Sequence, residues 1–251
     1  LRHEKKFDKA IEVINEALEI TKITGNKHGL RKYLNSVGLI KERIGDFKGA
    51  LNIYNECLKL SKEMGEKRSV AVSYNNIAGM HSVLGDFEDA IKYHKKAFSY
   101  AKRIDYIEGQ GGFAYNIASI LLKQKKYAQS IKYIEMSINA FESTGNPYVK
   151  ECYIFKAYIY MNQDDSNNVK QCFKYFNDVS IDNNYGHIRN WELYSVNLFL
   201  GNSKKRFLNN AYKTMQEDLK PIKNKISKKL FLKHFTYGEL INKEFQKGGQ
   251  K

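Results

Sequence analysis

Four asparagines combine a residue type and a spacing that suit molecular recognition. Asn76 and Asn116 lie 40 residues apart, and Asn35 and Asn75 occupy the adjacent slot at the same interval. A carboxamide carries both donors and an acceptor, so it pairs with the amide groups of an extended peptide whatever that peptide's side chains are. Asparagine is also common in this chain, and a scatter over the surface is the plainer account of the same four. No other constellation offers chemistry. The six histidines are dispersed without metal-ligand spacing. Cys57, Cys152 and Cys172 form no CxxC pair, and a sparse, odd count suits a reducing compartment. Gly109-Gln110-Gly111-Gly112 resembles a phosphate loop in glycine content only. It lacks the Lys-Ser/Thr ending and follows no strand, so it reads as a turn between elements. No acid, base and nucleophile share a helix face, so the chain is read as a non-enzyme with no cofactor and no metal.

The elements that must position the asparagines repeat. Phe7-Asp8-Lys9-Ala10-Ile11, Phe47-Lys48-Gly49-Ala50-Leu51, Phe87-Glu88-Asp89-Ala90-Ile91 and Tyr127-Ala128-Gln129-Ser130-Ile131 share one grammar, and a blurred copy ends at Val169. From Ala10 through Ala50, Ala90 and Ser130 to Val169 the steps are 40, 40, 40 and 39 residues. A fixed period of this size marks a stacked repeat array. In the clearest unit, Tyr74, Ile77, Ala78 and His81 fall on one helix face, and Ala90, His94, Ala97 and Ala101 on a second. Gly85 suits the left-handed turn between them, and Asp86 is expected to cap the next helix. Cys57 takes the slot held by Ala17 and Ala97, so it reads as a small core residue. A hairpin this small cannot bury its apolar face alone, and its neighbours must complete the core.

This pattern resembles the tetratricopeptide repeat over roughly residues 1–219. The family's bulky, aliphatic and small residues on the first helix are matched by Tyr74, Ile77 and Ala78, by Leu34, Val37 and Gly38, and by Ala114, Ile117 and Ala118. The second-helix triplet is matched by Ala50, Tyr54 and Cys57, and by Ser130, Ile134 and Ser137; Ala90 and Ala97 keep it too, with His94 in the aromatic slot. The 40-residue unit is similar to the long variant of bacterial peptide-sensing regulators and of polarity and motor adaptor proteins. The resemblance implies an all-α fold, a right-handed α-solenoid of helical hairpins with a C-terminal capping helix, some twelve to thirteen helices and no strand. It also implies that first helices line a concave groove. Asn35, Asn76 and Asn116, with Lys32, Arg43 and Lys123, are then the expected peptide-binding residues. The family's chaperone-tail clamp does not fit, because four of its five positions fail when its central asparagine is set at Asn76.

The array is expected to hold five to six hairpins over residues 1–219, followed by a basic amphipathic capping helix and tail over 220–251. Leu1 opens the chain and Phe7 already sits where a second helix begins. The first hairpin is therefore read as truncated, with an upstream helix and an effector domain before it. After residue 150 the pattern weakens: Lys156 falls where an aliphatic belongs, and Asp164-Asp165-Ser166-Asn167-Asn168 replaces the usual turn. Residues 160–187 are read as the least stable stretch. Trp191, Tyr194, Phe207 and Ala211 propose a sixth hairpin, with Trp191 in the core. Beyond Pro221 a stripe of Ile222, Ile226, Leu230, His234, Tyr237, Ile241 and Phe245 reads as one last helix, and Gly248-Gly249 begins a disordered tail.

The net charge is +15, and residues 200–251 carry thirteen Lys and Arg against four acidic residues. Lys220, Lys223, Lys225, Lys228 and Lys229 concentrate it, inviting an acidic partner or simply keeping a terminal cap solvated. No apolar run reaches membrane-spanning length, and no signal peptide is visible, so a cytoplasmic, membrane-free location is expected. The leading functional expectation is a scaffold that binds a peptide or protein, as the sensory or interaction part of a larger signalling protein. The alternatives are the pheromone-sensing domain of a bacterial transcription regulator, or a contact with nucleic acid through the basic end. No recurring base-reading code supports the last of these.

Overall fold

Left-handed turns punctuate the chain every twenty residues, and they set the helix boundaries. Gly25, Gly45, Gly65, Gly85 and Gly145 all have positive φ, and Asp105, Lys125 and Asp164 adopt the same conformation at φ 52°, 57° and 56°. The turn is thus kept where glycine is lost. In this computed structural model the described residues are 2–176, 186–202, 205–235 and 237–248, and they form thirteen α-helices, one five-residue π turn and no strand. In order these are α1 (Arg2–Ile23), α2 (Lys27–Arg43), α3 (Phe47–Glu63), α4 (Lys67–Leu84), α5 (Phe87–Arg103), α6 (Ile107–Lys123) and α7 (Tyr127–Ser143). Then follow α8 (Val149–Met161), α9 (Ser166–Phe173), α10 (His187–Phe199), α11 (Lys205–Leu219), α12 (Lys225–Leu230), the π turn Phe231–Phe235 and α13 (Gly238–Gly248). Residues 177–185, within the stretch expected to be least stable, and the expected tail at 249–251 lie outside the described residues. The chain divides into two compact units, one of Leu1–Tyr106 with Lys220–Phe231, the other of Ile107–Leu219 with Leu232–Lys251.

In the first unit α2 pairs with α3 and α4 with α5, and α1 lies against α2. Leu18, Leu34 and Cys57 are buried together, with Ile14, Leu30, Val37, Ile53 and Leu60 packed around them. The next hairpin buries most of the predicted stripes: Ile77, Ala78, Ala90, Ala97 and Ala101 are inaccessible and Tyr74 and His94 nearly so, while His81 is only half-buried. Each fully buried isoleucine contributes about 1.5–3 kcal/mol, whereas the alanines mainly let helix axes approach. The Asp46 carboxylate caps α3 by accepting from the Gly49 N–H at 2.9 Å. Asp86 does not cap α5, contrary to expectation. Its carboxylate stands instead 3.5 Å from His81 Nδ1, on the preceding helix.

One glycine is dictated by its neighbour. Gly38 fills the small slot that is Ala78 and Ala118 elsewhere, and a Cβ on it would stand 2.5 Å from Cε1 of Tyr54. Tyr54 fills the aromatic slot, its hydroxyl donating to Glu42 at 3.1 Å. The later repeats carry the smaller His94 and Ile134 in that slot and tolerate alanine opposite. Gly38→Ala therefore overpacks the ring at about 1–3 kcal/mol, against a helix-propensity gain of up to about 1 kcal/mol. A net loss of roughly 1 kcal/mol is expected in urea titrations, and a stabilised variant would contradict the packing argument.

In the second unit α6 pairs with α7, α8 with α9 and α10 with α11, and α8 also lies against α10. Trp191 is buried as expected, its indole N–H donating to the Tyr158 hydroxyl at 3.2 Å. Lys156 is tolerated in an aliphatic slot because its ammonium reaches Glu135 at 2.9 Å. The polar turn at 164–168 remains a helix start, since Asp165 Oδ1 accepts from the Asn168 N–H at 3.1 Å.

The C-terminal stripe does not form one helix. Ile222 is buried ahead of α12, yet Ile226 is 72% exposed. Asn224 starts α12 by accepting from the N–H groups of Ile226 and Ser227 at 2.8 and 3.1 Å. Ile222 precedes α12, the π turn Phe231–Phe235 follows it, and α13 begins only at Gly238, so the seven residues are divided among several elements.

Candidate functional site

On the first helix of each hairpin two slots flank the bulky position. Counted from the bulky positions Leu34, Tyr74, Ala114, Tyr153 and Trp191, the residue just after is Asn35, Asn75, Tyr115, Ile154 or Glu192, and the residue two before is Lys32, Val72, Gly112, Glu151 or Arg189. Each compact unit uses these slots differently.

In the first unit the predicted asparagines meet. Asn76 Nδ2 on α4 donates to Asn35 Oδ1 on α2 at 3.1 Å, and Asn75 Nδ2 approaches Asn76 Oδ1 at 3.5 Å. All three side chains are half-buried. The Asn35–Asn76 bond uses one of the two N–H donors of Asn76 and one lone pair of Asn35, so the pair keeps capacity for another partner. One turn beyond Asn76, Gly79 leaves open space, with nothing beyond its chain neighbours and its own stretch of helix backbone within 4 Å of where a Cβ would sit. Lys32 and Arg43 are exposed on α2, and Leu39 between them is 49% exposed. The surface thus joins amides, a bare stretch of helix, one apolar side chain and two cations.

In the second unit Asn116 is half-buried on α6, and Lys123 is half-buried at the end of that helix. Burial pulls the Lys123 ammonium down to about 8. The adjacent slots hold a cluster that the sequence reading did not single out. Arg189 on α10 ion-pairs with Glu192 one turn along, reaches Glu151 on α8 at 3.3 Å, and donates to the Tyr115 hydroxyl on α6 at 2.7 Å. Glu192 is wholly inaccessible and Arg189 nearly so. Burial raises the Glu192 carboxyl above the usual carboxylate range, while Arg189 pulls it the other way. Tyr237, between the π turn and α13, donates its phenol to Glu192 Oε1 at 3.5 Å and packs edge-on against Tyr158, with ring centroids 5.3 Å apart. The signal for this cluster lay in the register itself, since Arg189 and Glu192 fill the slots that drew attention to Lys32 and Asn35.

The remaining expected residues separate by exposure. Lys220, Lys223, Lys225 and Lys229 are exposed and Lys228 is half-buried. The three cysteines are free and buried, and burial pushes each thiol up to about 11, leaving little thiolate at neutral pH. Among the described residues no helix is long and apolar enough to cross a membrane.

Three tetratricopeptide repeat profiles match the chain, over residues 1–63, 70–104 and 112–142. Among solved structures, the apo form of RapI is similar over 98% of this chain and 72% of its own, with a TM-score of 0.72 at 14% identity. A Rap protein complexed with Competence and Sporulation Factor is similar over the same shares, 98% and 72%, with a TM-score of 0.67 at 14% identity. BtubC (BKLC) from P. vanneervenii aligns over 87% of this chain and 90% of its own, with a TM-score of 0.64 at 14% identity. Likeness at such identities shows the fold alone, an all-helical series of sequential hairpins of the solenoid type. No curated protein matches the chain in sequence.

Proposed function

Because the chain belongs to the tetratricopeptide repeat family, we propose that it is a non-catalytic scaffold whose first helices bind a peptide or an extended segment of a partner protein. The observation that carries this reading is the Asn35–Asn76 pair. Two carboxamides from neighbouring first helices are joined across α2 and α4, with open space beside them at Gly79. Such a pair offers donors and acceptors at fixed positions, the chemistry that a peptide backbone requires. Lys32 and Arg43 favour a ligand with acidic character. Asn116 and Lys123 offer the corresponding groups on the second unit. One structural neighbour, a Rap protein, was solved with Competence and Sporulation Factor bound. That favours a sensory role within a regulatory protein over a purely architectural one. A cytoplasmic setting goes with this reading.

The test is peptide selection on the immobilised full chain, followed by affinity measurement on variants. Asn76→Ala is expected to weaken selected peptides by about 1–2 kcal/mol, the loss of hydrogen bonds to a desolvated backbone. It should also lower stability slightly, by about 0.5–1 kcal/mol, because the bond to Asn35 goes with it. Peptides that bind Asn76→Ala and wild type equally would place the site elsewhere. The exposed lysines at 220–229 support a second, weaker contact with polyanions. Its affinity should fall steeply with salt and show no sequence preference.

A further inference from the structure

The second unit carries the same face of first helices, but there a side chain of the protein itself occupies it. Tyr115 on α6, Glu151 and Tyr158 on α8, and Arg189 and Glu192 on α10 converge on one spot, and Tyr237 reaches into it from the C-terminal segment. The charges at this spot are unequal. One guanidinium faces two carboxylates, so the spot has an excess of acceptor and favours an occupant that donates a hydrogen bond. Its walls are aromatic: Tyr158 presents its ring to Tyr237 at an interplanar angle of 62° while Trp191 holds the Tyr158 hydroxyl. A phenol meets both demands, with an apolar ring and one O–H donor.

The polar hold on the occupant's phenol is light. The phenol–carboxylate distance of 3.5 Å is at the limit of a hydrogen bond, and a second polar tie to α13, from the Tyr194 hydroxyl to Glu244 Oε1, is 3.4 Å. α13 also buries Ile241 and stacks Phe245 against Tyr212 at 3.9 Å. The pocket floor by contrast is fixed by the short bond from Arg189 to Tyr115 and by ion pairs on both sides. A rigid, built site beneath a weakly tied side chain is the arrangement of an exchangeable plug.

We propose that this pocket recognises a tyrosine side chain of a peptide ligand, and that Tyr237 fills it in cis, so that the ligand and the C-terminal segment compete for one place. The proposal rests on the peptide-binding reading above and adds the side chain read and the means of control. Ligand binding would release α13 as the signal, and loss of the Tyr237 contact would open the pocket.

The probe is a labelled synthetic peptide of residues 232–248, titrated by fluorescence anisotropy into the full chain. Tyr237→Ala in the full chain is expected to bind it at least tenfold more tightly than wild type. The same peptide with phenylalanine in place of its tyrosine should lose about two- to threefold, the low end for a hydrogen bond, since the donor to Glu192 is gone. A second measurement needs no ligand: Tyr237→Phe in the full chain should speed hydrogen exchange of the α13 amides several-fold and leave α10 unchanged. Equal affinity of the peptide for wild type and Tyr237→Ala, no binding to either, or α13 exchange unaltered in Tyr237→Phe would each overturn the proposal. Peptides selected on the full chain that still depend on Asn76 would then leave the broader reading standing. Faster α13 exchange with no effect of Asn76→Ala would instead single out the broader reading as the one that failed.

Discussion

Replacing Arg189 with leucine is expected to destabilise the second unit by about 3–5 kcal/mol, the largest single effect in the molecule. The guanidinium sits between Glu192, wholly inaccessible, and Glu151, and donates as well to Tyr115. Removing it leaves a buried carboxylate facing a second one with no cation between them. Arg189→Leu/Glu192→Leu should recover most of the loss, because a well-packed apolar pair avoids the desolvation of both charges. The penalty also depends on pH. Burial already raises the Glu192 carboxyl, to about 7, and without Arg189 it rises further. At pH 8 the variant must hold an unpaired charge or take up a proton against the solution, whereas at pH 5 Glu192 is protonated without that cost and the loss shrinks. The single tryptophan, Trp191, lies inside the cluster, so its fluorescence in urea reports the transition directly. Equal losses at pH 5 and pH 8 would show that packing, not charge, dominates the site.

The repeat was legible because it rests on local chemistry. A 40-residue step, small residues where helices touch, and glycine at the turns each follow from sterics within one or two hairpins, and α1 to α7 follow them closely. Half of that period is also written in the sequence, since Gly25, Gly45, Gly65, Gly85 and Gly145 are separated by multiples of twenty residues. Asp105 and Lys125 hide the rhythm in sequence because a left-handed turn tolerates them at some energetic cost. The amide pair was partly legible. Register placed Asn35 and Asn76 on one kind of face, but only the fold joins two side chains 41 residues apart. Arg189, Glu192 and Tyr237 were missed for a different reason. Charged residues on a helix usually face solvent, and a charge becomes buried only when a distant segment covers it. Here the covering segment lies 45 residues beyond Glu192, past a π turn that breaks the apolar stripe. The stripe of seven apolar and aromatic residues failed as one helix because it is divided among the segment before α12, α12 itself, the π turn and α13. Periodicity counts residues per turn and carries no sign of a local change in that count.

His94 should make the first unit sensitive to mild acid. It fills the slot held by Tyr54 and Ile134 in the neighbouring repeats, is 3% exposed, and has a buried Nδ1 with no hydrogen-bond partner. Burial alone pushes its pKa down to about 3, against about 6.5 when unfolded. The imidazole is therefore neutral in the fold but protonated in the unfolded chain between these values, and the unfolded state binds the extra proton. Stability is fully present above pH 6.5 and is lost as pH falls toward 3, at about 1.4 kcal/mol per pH unit, or about 3 kcal/mol by pH 4.5. Glu192 acts in the opposite sense over part of this range, so wild type alone does not isolate the histidine. His94→Ile does, since the next repeat already carries Ile134 in that slot and every other titrating group is unchanged. The expected result is a variant of similar stability at pH 7.5 whose stability falls less steeply between pH 6.5 and 4.5, by about 1.4 kcal/mol per unit. Trp191 reports the second unit, so circular dichroism in urea at several pH values is the measurement for the first. Parallel pH profiles for wild type and His94→Ile would mean that the ring is hydrated or paired in solution, and the sensitivity to acid would then have to arise from the carboxylates.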